Sequence, residues 1–158
     1  MLMIATESTI RSGLYPQLLT ELDPAIRTFG KACPLLVPLV EEGWTKDPVT
    51  EEVARRYLDE LLQNDIDTLI MGCTHYPLLR GLLGGIVGDA VTLINPAYET
   101  ALALDRLLGE QDLRCEGGAE AEQYRFFASD TAEKFNAFAN LILPYDIEKT
   151  ELVEIEKY

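Results

Sequence analysis

The 158-residue sequence predicts an α/β protein whose parallel sheet is flanked by helices. Three observations lead there. Short apolar runs alternate with longer stretches of helical periodicity. The clearest run, Asp67-Thr68-Leu69-Ile70-Met71-Gly72, is apolar enough to be buried on both faces, as strands of parallel sheets are. The composition, 47% hydrophobic and 25% charged, is that of a globular chain able to fill a core.

The elements follow in order. Leu2 to Thr6 reads as a short buried strand. A helical stretch runs through Leu14, Leu18, Leu19 and Leu22, with Pro16 as a kink or first-turn residue. Ala25 to Cys33 offers a second strand. Asp47 is a capping residue, Pro48 suits the first helical position, and Val53, Ala54, Tyr57, Leu58, Leu61 and Leu62 recur at helical spacing. After the strand 67–72, a helix is expected to start near Pro77 and stop in the glycines 84–88. Ala90 to Ile94 and Ala97 to Leu108 supply a further strand and helix. Gln111 to Gln123 is acidic and reads as a solvated connection. Tyr124 to Ala128 and Thr131 to Leu143 form a last strand and helix, and 146–158 is an acidic tail, frayed or docked.

The charges sum to −14, which disfavours nucleic acid as a partner. No apolar run approaches the ~20 residues of a membrane-spanning helix, and the start lacks the basic region of a signal peptide. Three cysteines at wide spacings read as free thiols rather than a disulfide framework. The expectation is a soluble, cytoplasmic protein without membrane or nucleic-acid partners. Neither a glycine-rich phosphate loop nor a lysine in a persuasive setting points to pyridoxal phosphate or a nucleotide, and Cys-x-His supplies only two ligands for a metal. No cofactor is expected.

Chemistry concentrates in Gly72-Cys73-Thr74-His75-Tyr76-Pro77, where a strand ends and a helix is about to begin. Ligands of open parallel sheets bind at such ends. Backbone N–H groups at the coming helix and the sole histidine two residues on both favour the thiolate of Cys73. Thr74 adds a hydroxyl and a donor for a carboxylate. The plainer alternative is a packed cysteine beside a hydrogen-bonded structural histidine. Two other stretches share this sheet edge. Ala5 to Ile10 carries hydroxyls that serve as helix caps or ligand donors. Cys33 to Gly43 reads as a rigid, twice proline-bearing loop, with Glu41 or Glu42 either turned inward or solvated.

Gly72-Cys73-Thr74-His75-Tyr76-Pro77-Leu78-Leu79 resembles the carboxyl-terminal signature of the glutamate racemases, within the aspartate/glutamate racemase superfamily. Cys33 to Gly43 is similar to that family's proline-flanked loop, Thr6 to Thr9 to its threonine-bearing turn, and Ile94 to Ala101 to the following strand–helix junction. Phe126 to Leu143 resembles its final strand and helix. The resemblance implies a cofactor-independent enzyme that interconverts L- and D-glutamate for peptidoglycan, using two bases on opposite faces of the α-carbon. It implies catalytic roles for Cys73 and His75 and substrate contacts from Thr74, His75 and Thr9, with Glu41 as the partner of His75.

The family's first thiol segment, Cys-Asn-Thr-Ala, and its early Asp-Ser-Gly loop have no counterpart in this sequence. Neither Cys33, in the proline-flanked loop, nor Cys115, in the acidic connection, stands in for that thiol. The expected organisation is a Cys73-bearing domain over 1–94, a returning segment of an incomplete partner domain over 95–145, and the tail 146–158. Expected partners are glutamate, the missing amino-terminal half, and further copies of the chain; by itself the chain is expected to be an inactive racemase. A non-catalytic binding domain for an acidic amino acid and an aspartate- or hydantoin-type racemase stay open as alternatives. A thiol redox protein is disfavoured by the lack of Cys-x-x-Cys.

Overall fold

The computed structural model describes residues 1–114, 124–147 and 149–157. The chain divides into two compact units, Met1–Glu110 and Gln111–Tyr158. In the first, strands β1 (Leu2–Ala5), β2 (Phe29–Ala32), β3 (Thr68–Gly72) and β4 (Thr92–Ile94) form a parallel sheet in the order β2-β1-β3-β4. Helices α1 (Glu7–Ser12) and α2 (Leu14–Leu22) connect β1 to β2. Helices α3 (Leu36–Glu41) and α4 (Pro48–Leu58) lead to β3, and α5 (Arg80–Val87) leads to β4, which α6 (Pro96–Glu110) follows.

The pleat sends alternate strand residues to opposite faces. Leu2, Ile4, Leu69 and Met71 are almost wholly buried, as are Leu36, Val40, Ala54, Leu58, Leu79 and Leu83 from the connections after β2 and β3. Met3, Ala5 and Ile70 form a smaller cluster, with Ile10, Tyr15 and Leu19 of α1 and α2 packed against it. Helix α6 buries none of its residues; Tyr98, Leu102, Leu104 and Leu107 are exposed.

Several elements differ from the sequence expectation. The helical stretch before β2 is two helices, because Gly13 takes a left-handed conformation (φ 67°) that ends α1 and starts α2. The expected loop Cys33–Gly43 contains α3; Pro38 sits in its first turn, where a missing N–H costs nothing. Asp47 caps α4 as read, accepting from the Val49 N–H at 2.8 Å, but Leu61 and Leu62 lie beyond the helix in a 3₁₀ turn, Leu61–Asn64. Helix α5 stops at Gly88, within the expected glycines, with Gly84 and Gly85 carried inside it.

In the second unit, β5 (Phe126–Ala128), α7 (Ala132–Ile142) and β6 (Thr150–Leu152) make a parallel βαβ arrangement, Phe126 opposite Thr150. Part of the acidic tail is therefore a strand. Thr150 and Ile147 are buried there, held by a hydrogen bond from the Thr150 hydroxyl to Asn136 and a 2.7 Å bond from the Ile147 N–H to Asn140. Of the expected acidic connection, residues 115–123 and so Cys115 lie outside the described residues.

Candidate active site

Register builds the site. Ala5 and Gly72, the last residues of β1 and β3, are paired, so the chain continues from them side by side as Thr6 and Cys73. Cys33 follows β2 on the other side of β1, and Asn95 follows β4. The chain leaves β1 for β2 on one side and re-enters at β3 on the other, so Thr6 and Cys73 flank the point where strand order reverses. A crevice forms there in open α/β sheets.

Gly72 permits the close approach. A β-carbon on it would stand 3.1 Å from the Ile4 carbonyl oxygen and 3.2 Å from the Ala5 β-carbon. An open cleft of about 600 Å³ lies over these strand ends, lined among others by Thr6, Thr9, Cys73, Thr74, Asn95 and Thr100. Hydroxyls, an amide and a thiol make this a neutral surface with several donors.

Cys73 is partly exposed. Its sulfur lies 3.9 Å from His75 Nδ1, and the Thr74 hydroxyl lies 3.3 Å from the same nitrogen. The opposite ring nitrogen, Nε2, is 3.2 Å from Glu41 Oε1. With Nε2–H donating to that carboxylate, Nδ1 faces the thiol as acceptor of its proton, or as donor to the thiolate once the ring is charged. The structure thus brings Cys73, Thr74, His75 and Glu41 into one chain of contacts. Thr9 stands apart from it, on the cleft wall, where its hydroxyl is 3.0 Å from that of Thr6, the cap of α1.

Cys33 directly follows β2 at the same sheet edge yet is buried. It is fully buried, and burial pushes its thiol up to about 12. Tyr76, also fully buried, donates its hydroxyl to the Cys33 carbonyl at 2.9 Å, and burial pushes its phenol upward as well. Among the described residues no group of three His, Cys, Asp or Glu side chains could hold a metal ion, and no helix is long and apolar enough to cross a membrane.

No family model matches the chain. Individual proteins do. The glutamate racemase of Geobacter metallireducens is 40% identical over 142 residues, covering 89% of this chain and 52% of the relative. That of Syntrophus aciditrophicus is 40% identical over 153 residues, covering 97% and 56%. Among solved structures, the Francisella tularensis glutamate racemase in complex with D-glutamate superposes with a TM-score of 0.89 at 31% identity, over 99% of this chain and 58% of that one. In sequence and fold the chain is similar to part of the glutamate racemases. It spans about half the length of the glutamate racemases it matches. The Thermus thermophilus glutamate racemase, solved with β-chloro-D-alanine, repeats this fold at a TM-score of 0.85 and 34% identity.

Among the cleft residues, Asn95, Thr100 and Tyr15 were given no role from the sequence, and Thr6 was read only within the hydroxyl-bearing stretch Ala5 to Ile10. The signal for two of them was present, since Thr6 and Asn95 each directly follow an apolar strand. Asn95 also precedes Pro96 and caps α6, its side chain accepting from Ala97 N–H at 3.1 Å. Thr100 reaches the cleft from the first turns of α6, a position that only the packing of that helix sets.

Proposed function

We propose that these residues form one half of the active site of a cofactor-independent glutamate racemase, with Cys73 as the base on one face of the α-carbon. The observation that carries this is the contact chain Cys73–His75–Glu41, of which Cys73 lines the cleft. The α-C–H of an amino acid is weakly acidic, so the base must be positioned and its charge supported. In the forward step the Cys73 thiolate takes the α-proton; the S–H bond forms as the C–H bond breaks, and the electron pair moves onto the substrate carboxylate. A proton then reaches the opposite face from a second thiol. Cys33 does not fit that role, being sealed in the core, so the second base is contributed from outside these residues.

Thr74 and Thr9 are assigned to substrate carboxylate or ammonium contacts, and Glu41 to holding the His75 ring. The Cys73-bearing domain is then residues 1–94, with 95–145 the returning part of the partner domain and 146–158 the acidic tail. The role that follows is supply of D-glutamate for peptidoglycan in the cytoplasm, with the missing half and further copies of the chain as partners.

The test is proton NMR of L- and D-glutamate in D₂O with the 158-residue chain, alongside calorimetric titration. Expected is deuterium at the α-carbon of one enantiomer without inversion, since one base serves one face. Inversion by the chain alone would contradict the half-site assignment. Binding without any exchange would support a non-catalytic binding domain instead.

A further inference from the structure

Glu41 is 34 residues from His75 in sequence and more than half exposed, so water competes for both partners of the 3.2 Å pair. The pair forms only if the short helix α3, which ends at Glu41, is fixed against the turn that follows β3. Leu36 and Val40 bury one side of α3, and the Cys33–Leu35 turn sets the position at which the chain enters it. We propose that Tyr76 is a positioning residue for the proposed catalytic pair: its buried hydroxyl holds the Cys33–Leu35 turn so that α3 delivers Glu41 to His75.

Three contacts carry this. Tyr76 directly follows His75, and its hydroxyl donates to the Cys33 carbonyl at 2.9 Å, tying the turn after β3 to the turn after β2 across the intervening β1. The same carbonyl accepts from the Leu36 N–H at 3.2 Å, the first residue of α3. From the other side, the Leu35 N–H donates to the Tyr57 hydroxyl of α4 at 3.4 Å. A phenylalanine would fill the site of Tyr76 without burying a polar atom. The hydroxyl there has a desolvation cost that its one hydrogen bond offsets, and what that bond fixes is a backbone position. Removing it leaves the Cys33 carbonyl bonded to Leu36, so Tyr76→Phe retains the fold.

This inference rests on the proposed Glu41–His75–Cys73 relay, and the test separates the two. The rate of Cys73 alkylation by iodoacetamide at neutral pH is measured by peptide mapping in the unaltered chain, Glu41→Gln, Tyr76→Phe and the double variant. Glu41→Gln is expected to slow the reaction about threefold to fivefold, the worth of an exposed ion pair, because the His75 ring is then held less firmly against the Cys73 sulfur. Tyr76→Phe is expected to slow it by a similar factor, and the double variant to be no slower than Glu41→Gln. Tyr57→Phe, which loosens the turn from its other side, should show the same pattern with a smaller factor and guards against a folding defect in Tyr76→Phe. A normal rate in both tyrosine variants while Glu41→Gln is slow would overturn the positioning role alone, as would factors that multiply in the double variant. An unchanged rate in Glu41→Gln would overturn the relay itself and the inference with it.

Discussion

Raising the pH should weaken this fold by an amount that Cys33 sets. Its thiol is fully buried and pushed from the ordinary 9.0 to about 12 by loss of solvation. Between those values the unfolded chain has lost the proton and the folded chain keeps it. The unfolded state then binds fewer protons, and stability falls as pH rises. The contribution is intact below pH 9 and declines by about 1.4 kcal/mol per pH unit, reaching about 4 kcal/mol near pH 12. At pH 10.5 the expected loss is about 2 kcal/mol relative to pH 8. Tyr76 titrates in the same direction but higher, and it is common to the comparison that isolates Cys33. Urea unfolding of the unaltered chain and Cys33→Ala at pH 8, 9.5 and 10.5 measures the difference. The stability advantage of the unaltered chain over Cys33→Ala should shrink by about 2 kcal/mol across this range. A constant advantage would show that Cys33 is not sealed, and would reopen it as the second proton carrier.

Three further outcomes follow from the same geometry. In the native chain at pH 7.5, iodoacetamide should label Cys73 while sparing Cys33, whose thiolate fraction is roughly 1,000-fold below that of a free cysteine; mass spectrometry of the two peptides reads this directly. Gly72→Ala should destabilise by about 1–3 kcal/mol in denaturant titration, because the added β-carbon comes within 3.1 Å of the Ile4 carbonyl oxygen and 3.2 Å of the Ala5 β-carbon, at the end of the two central strands. Asp47→Ala should cost about 1 kcal/mol of stability, the worth of the cap on the Val49 N–H.

The strand–helix alternation was legible because β1 and β3 are short apolar runs, while β2, Phe-Gly-Lys-Ala, gives a weaker signal; parallel pairing follows from the helices between the strands. The placement of Cys73 at a strand's carboxyl end was legible for the same reason. What stayed hidden depended on three-dimensional phase. The residue pattern alone left Glu41 or Glu42 open and only the resemblance named Glu41; the helical turn of α3, read from the sequence as a proline-bearing loop, is what sends Glu41 to His75. Thr6 reads as a helix cap and is one, yet register also places it beside Cys73 over the cleft. β6 was hidden by the acidic residues around it; Thr150 and Leu152 become strand residues only through pairing with β5. Tyr76 sat inside the most conspicuous motif, and its bond to the Cys33 carbonyl joins residues 43 positions apart.

The central claim is that the sulfur of Cys73 carries the α-proton. The most direct measurement is α-deuterium incorporation into glutamate by Cys73→Ser beside Cys33→Ala, with the unaltered chain as reference. The account predicts a fall of about 10²–10⁴-fold in Cys73→Ser, the usual contribution of a proton-transferring side chain, and near-normal exchange in Cys33→Ala. Exchange that persists in Cys73→Ser at the unaltered rate would contradict it.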